Sequence, residues 1–205
     1  MPKSRSATPD RSPAQQRRPR RGVPWRPTRA QIAQAEGLTV PDVIADDLAV
    51  LFCGINPGLY SGATRHHFAR PGNRFWKVLH QAGFTGRLLT PFDEDELLAR
   101  RIGVTNLVTR ATATAAELGK DELRRGGRTL AAKSRRRRPA FVAFLGIEAY
   151  RHAFECPLAR LGEQQQQLGP ARVWVLPNPS GLNAHYQVPD LVRLFSDLAH
   201  AAGVG

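Results

Sequence analysis

The sequence contains few cysteines and no long apolar run. Only Cys53 and Cys156 occur among the 205 residues, and Cys53 lies inside a predicted core strand. We therefore predict two reduced structural cysteines rather than a disulfide or a metal pair. No apolar run is long enough to span a bilayer, and the basic N-terminus lacks the apolar segment of a secretion signal. These absences predict a cytoplasmic protein with no membrane partner.

Acidic residues are also scarce relative to basic ones. The chain has 30 Lys and Arg against 17 Asp and Glu, a formal net charge of +13. This balance favours a polyanionic partner, and nucleic acid fits best. Residues 1–27 are rich in Arg, Pro and Ser and lack apolar periodicity, which predicts a disordered basic tail. The tail is either a solubilising end or a non-specific DNA tether.

Apolar strands alternate with helical patterns in the rest of the chain. Thr28 and Gln31 form a capping-box pattern, so we place a single domain at residues 28–205. Strands are expected at 48–53, 103–108, 139–146 and 172–176. Helices are expected at 28–36, 73–82, 121–134, 148–154 and 189–201. The Gln-rich segment 163–167 is predicted as a loop. This alternation predicts an α/β fold, a three-layer α/β/α sandwich with a central, mostly parallel sheet.

Two of the predicted strands run into Gly/Pro turns that carry an asparagine. Parallel strands would place both turns at one edge of the sheet, where α/β proteins bind ligands. An isolated Asn-Pro-Gly is usually only a turn, but the first turn opens onto a small-residue loop at 59–64. It lacks the Gly-Lys-Ser/Thr ending of a Walker loop. The two segments are 48–58, ending in Gly-Ile-Asn-Pro-Gly, and 173–181, ending in Pro-Asn-Pro-Ser-Gly.

Four motifs in a fixed order make the chain resemble a known family. They are Gly-Ile-Asn-Pro-Gly-Leu at 54–59, Phe-Ala-Arg-Pro-Gly-Asn-Arg-Phe-Trp-Lys at 68–77, Gly-Val-Thr-Asn-Leu at 103–107 and Asn-Pro-Ser-Gly-Leu at 178–182. From about Asp47 to His200 the chain resembles the mismatch-specific uracil-DNA glycosylases, bacterial relatives of thymine-DNA glycosylase.

The resemblance implies a uracil-DNA-glycosylase-like fold and a specific activity. Such an enzyme flips uracil, or a related damaged or mismatched base, out of a duplex opposite guanine. It hydrolyses the glycosidic bond with water and so initiates base excision repair. No lysine nucleophile, metal or cofactor is implied. The expected partner is double-stranded DNA with a U·G or related mismatch. We expect a monomer in the bacterial cytoplasm, with the nucleoid.

The resemblance also assigns roles to residues near the first turn. Asn56 matches the asparagine that orients the attacking water, because an amide is a poor base. Backbone N–H groups around Ile55 and Phe68 would hold the uracil edge. Phe68 matches the aromatic residue that stacks on the flipped base, although without the resemblance a core role is equally plausible. Ser61 and Tyr60 are candidate pocket walls.

The second turn matches the segment that holds the duplex open, here named the wedge loop. Leu182 would fill the gap left by the flipped nucleotide; the alternative is a plain surface turn. The uracil-specific branch has a catalytic histidine where Asn178 stands, and the mismatch branch usually has a basic residue soon after the wedge leucine. We therefore expect modest turnover and broad base tolerance. The wedge loop comprises Asn178, Pro179, Ser180, Gly181, Leu182 and Asn183.

A weak water-positioning group raises the question of a helper carboxylate. The dense acidic cluster at 93–96 offers Asp93 as the best candidate, since Asp93 and Glu96 form a capping-box pattern that would hold Asp93 rigidly. The alternative is that Asp93 serves only as a helix cap.

Several basic side chains are candidates for phosphate contacts. His66 and His67 lack a Cys or acidic partner at ligand spacing, so no zinc site is predicted, and both are expected at the surface or in a loop. The run at 135–138 is predicted as a solvated basic turn at the far edge of the sheet. The phosphate-binding candidates are Arg70, Arg74, Lys77 and Arg110.

Two other functions fit the sequence. One is a non-catalytic nucleic-acid-binding domain on the same scaffold. The other is a small-molecule α/β enzyme whose positive charge lies mainly in the tail.

Overall fold

A computed structural model describes residues 24–204, so most of the predicted basic tail lies outside the described residues. Five strands form one sheet in the order β2-β1-β3-β5-β4. The first four in this order are parallel, and β4 runs antiparallel to β5. The strands are β1 Val50–Gly54, β2 Ile102–Asn106, β3 Phe141–Leu145, β4 Gly162–Leu168 and β5 Ala171–Leu176.

Helices cover both faces of this sheet. The α-helices are α1 Arg29–Ala33, α2 Leu59–Thr64, α3 Phe75–Gln81, α4 Lys120–Arg137, α5 Ile147–Phe154 and α6 Val188–Ala202. Two 3₁₀ helices span Pro91–Arg100 and Ala115–Glu117. Between residues 24 and 204, no helix combines the length and apolar character needed to cross a membrane.

Side chains alternate along the buried strands and so build two cores. On one face, the Phe52 ring lies 5.5 Å from Phe75, 5.3 Å from Phe84 and 5.8 Å from Phe195, measured between centroids. This core joins the sheet to α3 and α6. The next residue, Cys53, faces the second core beneath α4 and α5. The period of two explains why β1 is apolar throughout, and the three-layer α/β/α prediction is confirmed.

Two segments predicted as loops are regular elements. The Gln-rich segment lies in β4, an edge strand whose side chains are mostly exposed. An edge strand with one solvated face has no continuous apolar run, so β4 could not be recognised as a strand from its sequence. Arg172 on β5 pairs with Glu163 through two hydrogen bonds of 2.6 and 2.7 Å and links the two strands. The small-residue loop after the first turn is α2.

The helix ends also differ from two predictions. Asp93 is not an N-cap: Thr90 is the cap, and Asp93 is the third residue of the 3₁₀ helix in a Thr90–Asp93 capping box. The basic run at 135–138 is the end of α4 rather than a turn. There Arg138 adopts a left-handed conformation as the C-cap.

Candidate active site

The two asparagine turns lie at the same edge of the sheet, as the sequence predicted. They follow the carboxyl ends of β1 and β5, and β3 lies between them. A Cβ atom at Gly146, just after β3, would lie 2.9 Å from Ile55 Cδ1 and 3.9 Å from Asn178 Cβ. Three parallel strands therefore bring the first turn and the wedge loop together.

The side chain of Asn56 is held in one orientation. Its Nδ2 donates to Arg110 O at 3.2 Å, to Thr112 Oγ1 at 2.7 Å and to Pro57 O at 3.0 Å. A carbonyl oxygen only accepts, so the amide nitrogen must face Arg110 O and the amide oxygen must point elsewhere. Within residues 24–204, no group donates to Asn56 Oδ1. This oxygen can accept a hydrogen bond from a water.

Thr112 extends this arrangement by one residue. Its Oγ1 accepts from Asn56 and donates to Thr114 O at 2.7 Å. Because its single proton goes to Thr114, the hydroxyl presents a lone pair to Asn56. Sequence reasoning missed Thr112, since it lies 56 residues from Asn56 in a segment without a recognised motif.

Next to the first turn, the Phe68 ring and the Asn106 side-chain amide both pack against Gly54. A Cβ at Gly54 would lie 2.6 Å from Asn106 Oδ1 and 3.3 Å from Phe68 Cζ. Only glycine leaves room for these two side chains. Asn106 ends β2 and pairs with Gly54 across the sheet. Asn106 belongs to one of the four motifs, but the sequence analysis assigned it no role. Its position at the end of a strand, on the same sheet edge as the two turns, could have identified it as a site residue.

Phe68 adopts a backbone conformation that is rare for a bulky residue. Its φ is 51°, and such strain persists only where the surroundings impose it. The ring stacks on Phe75, with centroids 4.1 Å apart. Neighbouring N–H groups are tied down, from His67 to Glu94 Oε2 at 2.8 Å and from Ala69 to Ser61 Oγ at 3.1 Å. We name residues 66–69 the pocket loop.

The two backbone N–H groups predicted to hold a base edge belong to Ile55 and Phe68. Neither donates a hydrogen bond within the part of the chain that the structure describes. Ser61, a predicted pocket wall, is buried and fixes the pocket loop instead. Tyr60 is half-buried on α2. The pocket can thus offer two free backbone donors next to the Phe68 ring.

A buried carboxylate of the acidic cluster supports the pocket loop. Glu94 is only 6% exposed, and its Oε1 lies 2.7 Å from His66 Nδ1 while its Oε2 accepts from the His67 N–H. His67 lies in a loop, one of the two predicted placements, but not at the surface: its side chain is buried, and neither ring nitrogen has a hydrogen-bond partner among residues 24–204. Burial lowers the pKa of His67 more than Glu94 raises it, so the ring is neutral at neutral pH.

Asp93, the proposed helper, is engaged elsewhere. Its Oδ2 accepts from the Thr90 N–H at 2.8 Å and from the Thr90 hydroxyl at 2.7 Å, and Arg87 lies nearby. Partial burial raises the pKa of Asp93, but these hydrogen bonds and the Arg87 charge outweigh it and leave the pKa below its ordinary value. Asp93 has a complete capping role: its partners within residues 24–204 are Thr90 and Arg87, and neither belongs to the Asn56 turn.

The four predicted phosphate ligands fall into two groups. Arg70 and Lys77 are exposed and form no ion pair with another residue between 24 and 204. Arg110 instead makes a two-point pair with Glu122, at 2.6 and 2.9 Å. This pair raises the pKa of Arg110 and lowers that of Glu122. Arg74 directs its guanidinium at backbone carbonyls. Arg110 and Arg74 are therefore occupied.

The wedge loop projects a leucine beside a groove. Leu182 is 70% exposed. Asn178 Oδ1 accepts from the Ser180 N–H, and Asn178 O accepts from Asn183 Nδ2, both at 3.0 Å. Pro179 is buried beneath the loop. The groove has a volume of about 210 Å³ and is lined by Arg70, Pro71, Gly72, Asn73, Ser180, Gly181 and Leu182.

Over residues 24–204, no three His, Cys, Asp or Glu side chains are grouped so that they could hold a metal ion.

The sequence and the fold are each similar to those of known proteins. A family model described as the uracil DNA glycosylase superfamily matches residues 41–199. The fold is similar to the solution NMR structure of a candidate uracil DNA glycosylase from Methanosarcina acetivorans. That similarity has a TM-score of 0.54 and 18% sequence identity, and it covers 80% of this chain and 99% of the other. At this identity the second match supports the fold alone.

Proposed function

The chain belongs to the uracil DNA glycosylase superfamily, whose members are DNA glycosylases, and we propose that it hydrolyses uracil or a related damaged base opposite guanine in duplex DNA. In this proposal the enzyme is monofunctional and initiates base excision repair. The observation that carries it is Asn56, whose amide is fixed by Arg110 O and Thr112 beside a pocket made by Phe68 and Asn106.

The pocket suits a flat base with polar edges. One face of the flipped base would stack on Phe68, which is itself supported by Phe75. The amide of Asn106 can both donate and accept, so it can pair with the adjacent C=O and N–H groups of uracil. The free N–H groups of Ile55 and Phe68 would donate to a base oxygen.

These donors matter most as the bond breaks. When the N1–C1′ bond opens, the electron pair stays on the base, and the negative charge spreads to its oxygens. Hydrogen bonds to those oxygens strengthen as the charge develops, so they stabilise the transition state more than the substrate.

Asn56 acts on the incoming water. Its Oδ1 accepts a hydrogen bond from the water and aims the oxygen at C1′. The water forms the new O–C1′ bond, its proton is released, and the base anion is protonated after leaving. An amide does not remove the proton, so the reaction depends on leaving-group stabilisation, and we expect modest turnover.

The wedge loop supplies the other half of the proposal. An exposed leucine next to a groove fits insertion into the base stack, where it offsets part of the cost of unstacking. The loop lies at the same sheet edge as the pocket, so the leucine could enter the gap that the extruded base leaves. Backbone groups near Gly181 and Asn183 would meet the widowed guanine.

The test is cleavage of a duplex with one U·G pair, followed by alkali to break the abasic strand. Duplexes with U·A and T·G pairs measure the preference for the opposite and the excised base. The proposal predicts cleavage at U·G that exceeds cleavage at U·A. Binding of U·G duplex without cleavage would support a non-catalytic binding domain instead. Neither binding nor cleavage would favour a small-molecule enzyme.

A further inference from the structure

One arginine reaches across the molecule to the wedge loop. Arg74 precedes α3 as its N-cap. Its backbone N–H donates to Pro179 O at 3.0 Å, and its Nε approaches the same oxygen at 3.4 Å. Nη1 donates to Tyr186 O at 2.6 Å, and Nη2 donates to Ser180 O and to Asn183 O, the latter at 3.0 Å. Arg74 thus donates hydrogen bonds to four backbone carbonyl oxygens between residues 179 and 186.

The wedge loop's own hydrogen bonds are short-range and join residues no more than five positions apart. Residues 178–187 contain no helix or strand, so its carbonyl groups lack the partners that regular structure provides. A guanidinium carries five N–H donors in a rigid plane and can serve several carbonyls at once. A lysine ammonium has no such plane.

A second contact joins the same two segments. A Cβ at Gly181 would lie 2.5 Å from Gly72 O, so the backbones of 72 and 181 touch directly. The segment 70–74 and the wedge loop are therefore packed as one unit, and Leu182 projects from it.

We propose that Arg74 is a positioning residue that sets the wedge loop in its inserting conformation before DNA binds, rather than a phosphate ligand. The proposal rests on the proposed glycosylase function for its consequence, which is that Leu182 meets the duplex already in place. Without Arg74 the wedge loop must become ordered during base flipping. The fraction of enzyme molecules whose loop is already in the inserting conformation therefore falls. The guanidinium charge is directed at carbonyl dipoles and is not free to displace counterions from DNA.

The experiment compares Arg74→Lys and Arg74→Ala with Arg70→Ala, an exposed arginine on the same groove. Single-turnover cleavage of the U·G duplex is measured, together with the dependence of duplex affinity on salt. We expect both Arg74 variants to lose about tenfold in rate at saturating enzyme, with the salt dependence of the wild type. Arg70→Ala should instead lower the log–log salt slope by about 1. Free guanidinium should partly restore Arg74→Ala.

The opposite pattern would overturn the proposal. If Arg74→Lys keeps the wild-type rate and Arg74→Ala lowers the salt slope by about 1, Arg74 is a phosphate ligand. Gly181→Ala offers a second route if the Arg74 variants do not fold, because it disturbs the packing of the same two segments, at Gly72, without a change of charge. It should reproduce the loss of rate at an unchanged slope; a wild-type rate in this variant contradicts the proposal.

A measurement without substrate separates this inference from the proposed function. Amide hydrogen exchange in the DNA-free protein should speed up at Leu182 and Asn183 in both Arg74 variants and remain slow in Arg70→Ala. Unchanged exchange would overturn the positioning role. Faster exchange, in a protein whose wild type cleaves no uracil duplex, would retain the positioning role and reject the glycosylase function.

Discussion

The first asparagine turn and the wedge loop are held by opposite means. At the first turn, the backbone is fixed at the end of β1, and backbone carbonyls elsewhere orient one side chain, Asn56. At the wedge loop, a distant side chain, Arg74, holds the backbone. The first arrangement suits a group that must keep its geometry during the reaction. The second leaves Leu182 exposed for contact with a partner.

The largest expected effect is at the first turn. Asn56→Ala removes the side chain that we propose orients the water, so we expect cleavage of U·G duplex to fall by about 100-fold. Affinity for the same duplex should stay within twofold of the wild type, about the scatter expected for a surface change. Cleavage and binding are measured on the same substrate. A wild-type rate would show that Asn56 does not position the water.

Leu182→Ala tests the wedge loop itself. The loss of an inserted side chain should slow cleavage by about tenfold, because unstacking costs a few kcal/mol that the leucine partly offsets. The deficit should shrink for uracil in a bulge, where the base is already unstacked. Leu158→Ala, at a leucine that is 89% exposed outside the groove, is the matched control. An equal deficit on both substrates would argue against insertion.

A smaller effect is expected from substitution of Thr112, which accepts a hydrogen bond from Asn56. Thr112→Val keeps the shape of the side chain but removes the acceptor for Asn56 Nδ2, and we expect about a fivefold loss of rate, equivalent to ~1 kcal/mol. Thr129→Val on the exposed face of α4 is the matched control. If both variants have the same rate, the carbonyl groups of Pro57 and Arg110 are enough to orient Asn56.

The smallest effect on activity is expected from Asp93→Asn. Because Asp93 is engaged with Thr90, cleavage should not change, while weakening the cap should lower stability by about 1 kcal/mol. The pKa of Asp93 is depressed, so its contribution is present above the ordinary value of 3.8 and is lost as the pH falls through the lower folded-state pKa. Thermal unfolding from pH 7 downward measures this. A large loss of cleavage would revive the helper role.

Much of the fold followed from the sequence, because the four parallel strands are mostly apolar and buried, and β1 and β3 are so along their whole length. The common edge of the two turns also followed, since it needs only parallel strands. Strand β4 could not be predicted from the sequence, because an exposed edge strand of glutamines has no apolar pattern. Boundaries of the other elements differed by only a few residues.

Parts of the site could not be predicted for a different reason. The acidic cluster was recognised, but which carboxylate faces inward depends on the phase of the 3₁₀ helix, and that phase turned Glu94 rather than Asp93 toward the pocket loop. Arg74 has a basic side chain in a basic protein, so charge suggested phosphate. Its partners are backbone carbonyl groups more than 100 residues away along the chain. Every residue has such a carbonyl, so no residue type in the sequence identifies these partners.

The position of β5 between β3 and β4 has a consequence for synthesis on the ribosome. Strands β1, β2 and β3 can pair as the chain emerges, but the edge of β3 stays open until residues 171–176 arrive. The wedge loop follows β5 directly and is then tied back to Arg74. On the proposed function, a nascent chain that ends before β5 therefore holds Asn56 and Phe68 without the wedge loop, and it becomes competent only when the segment from residue 171 onward has docked.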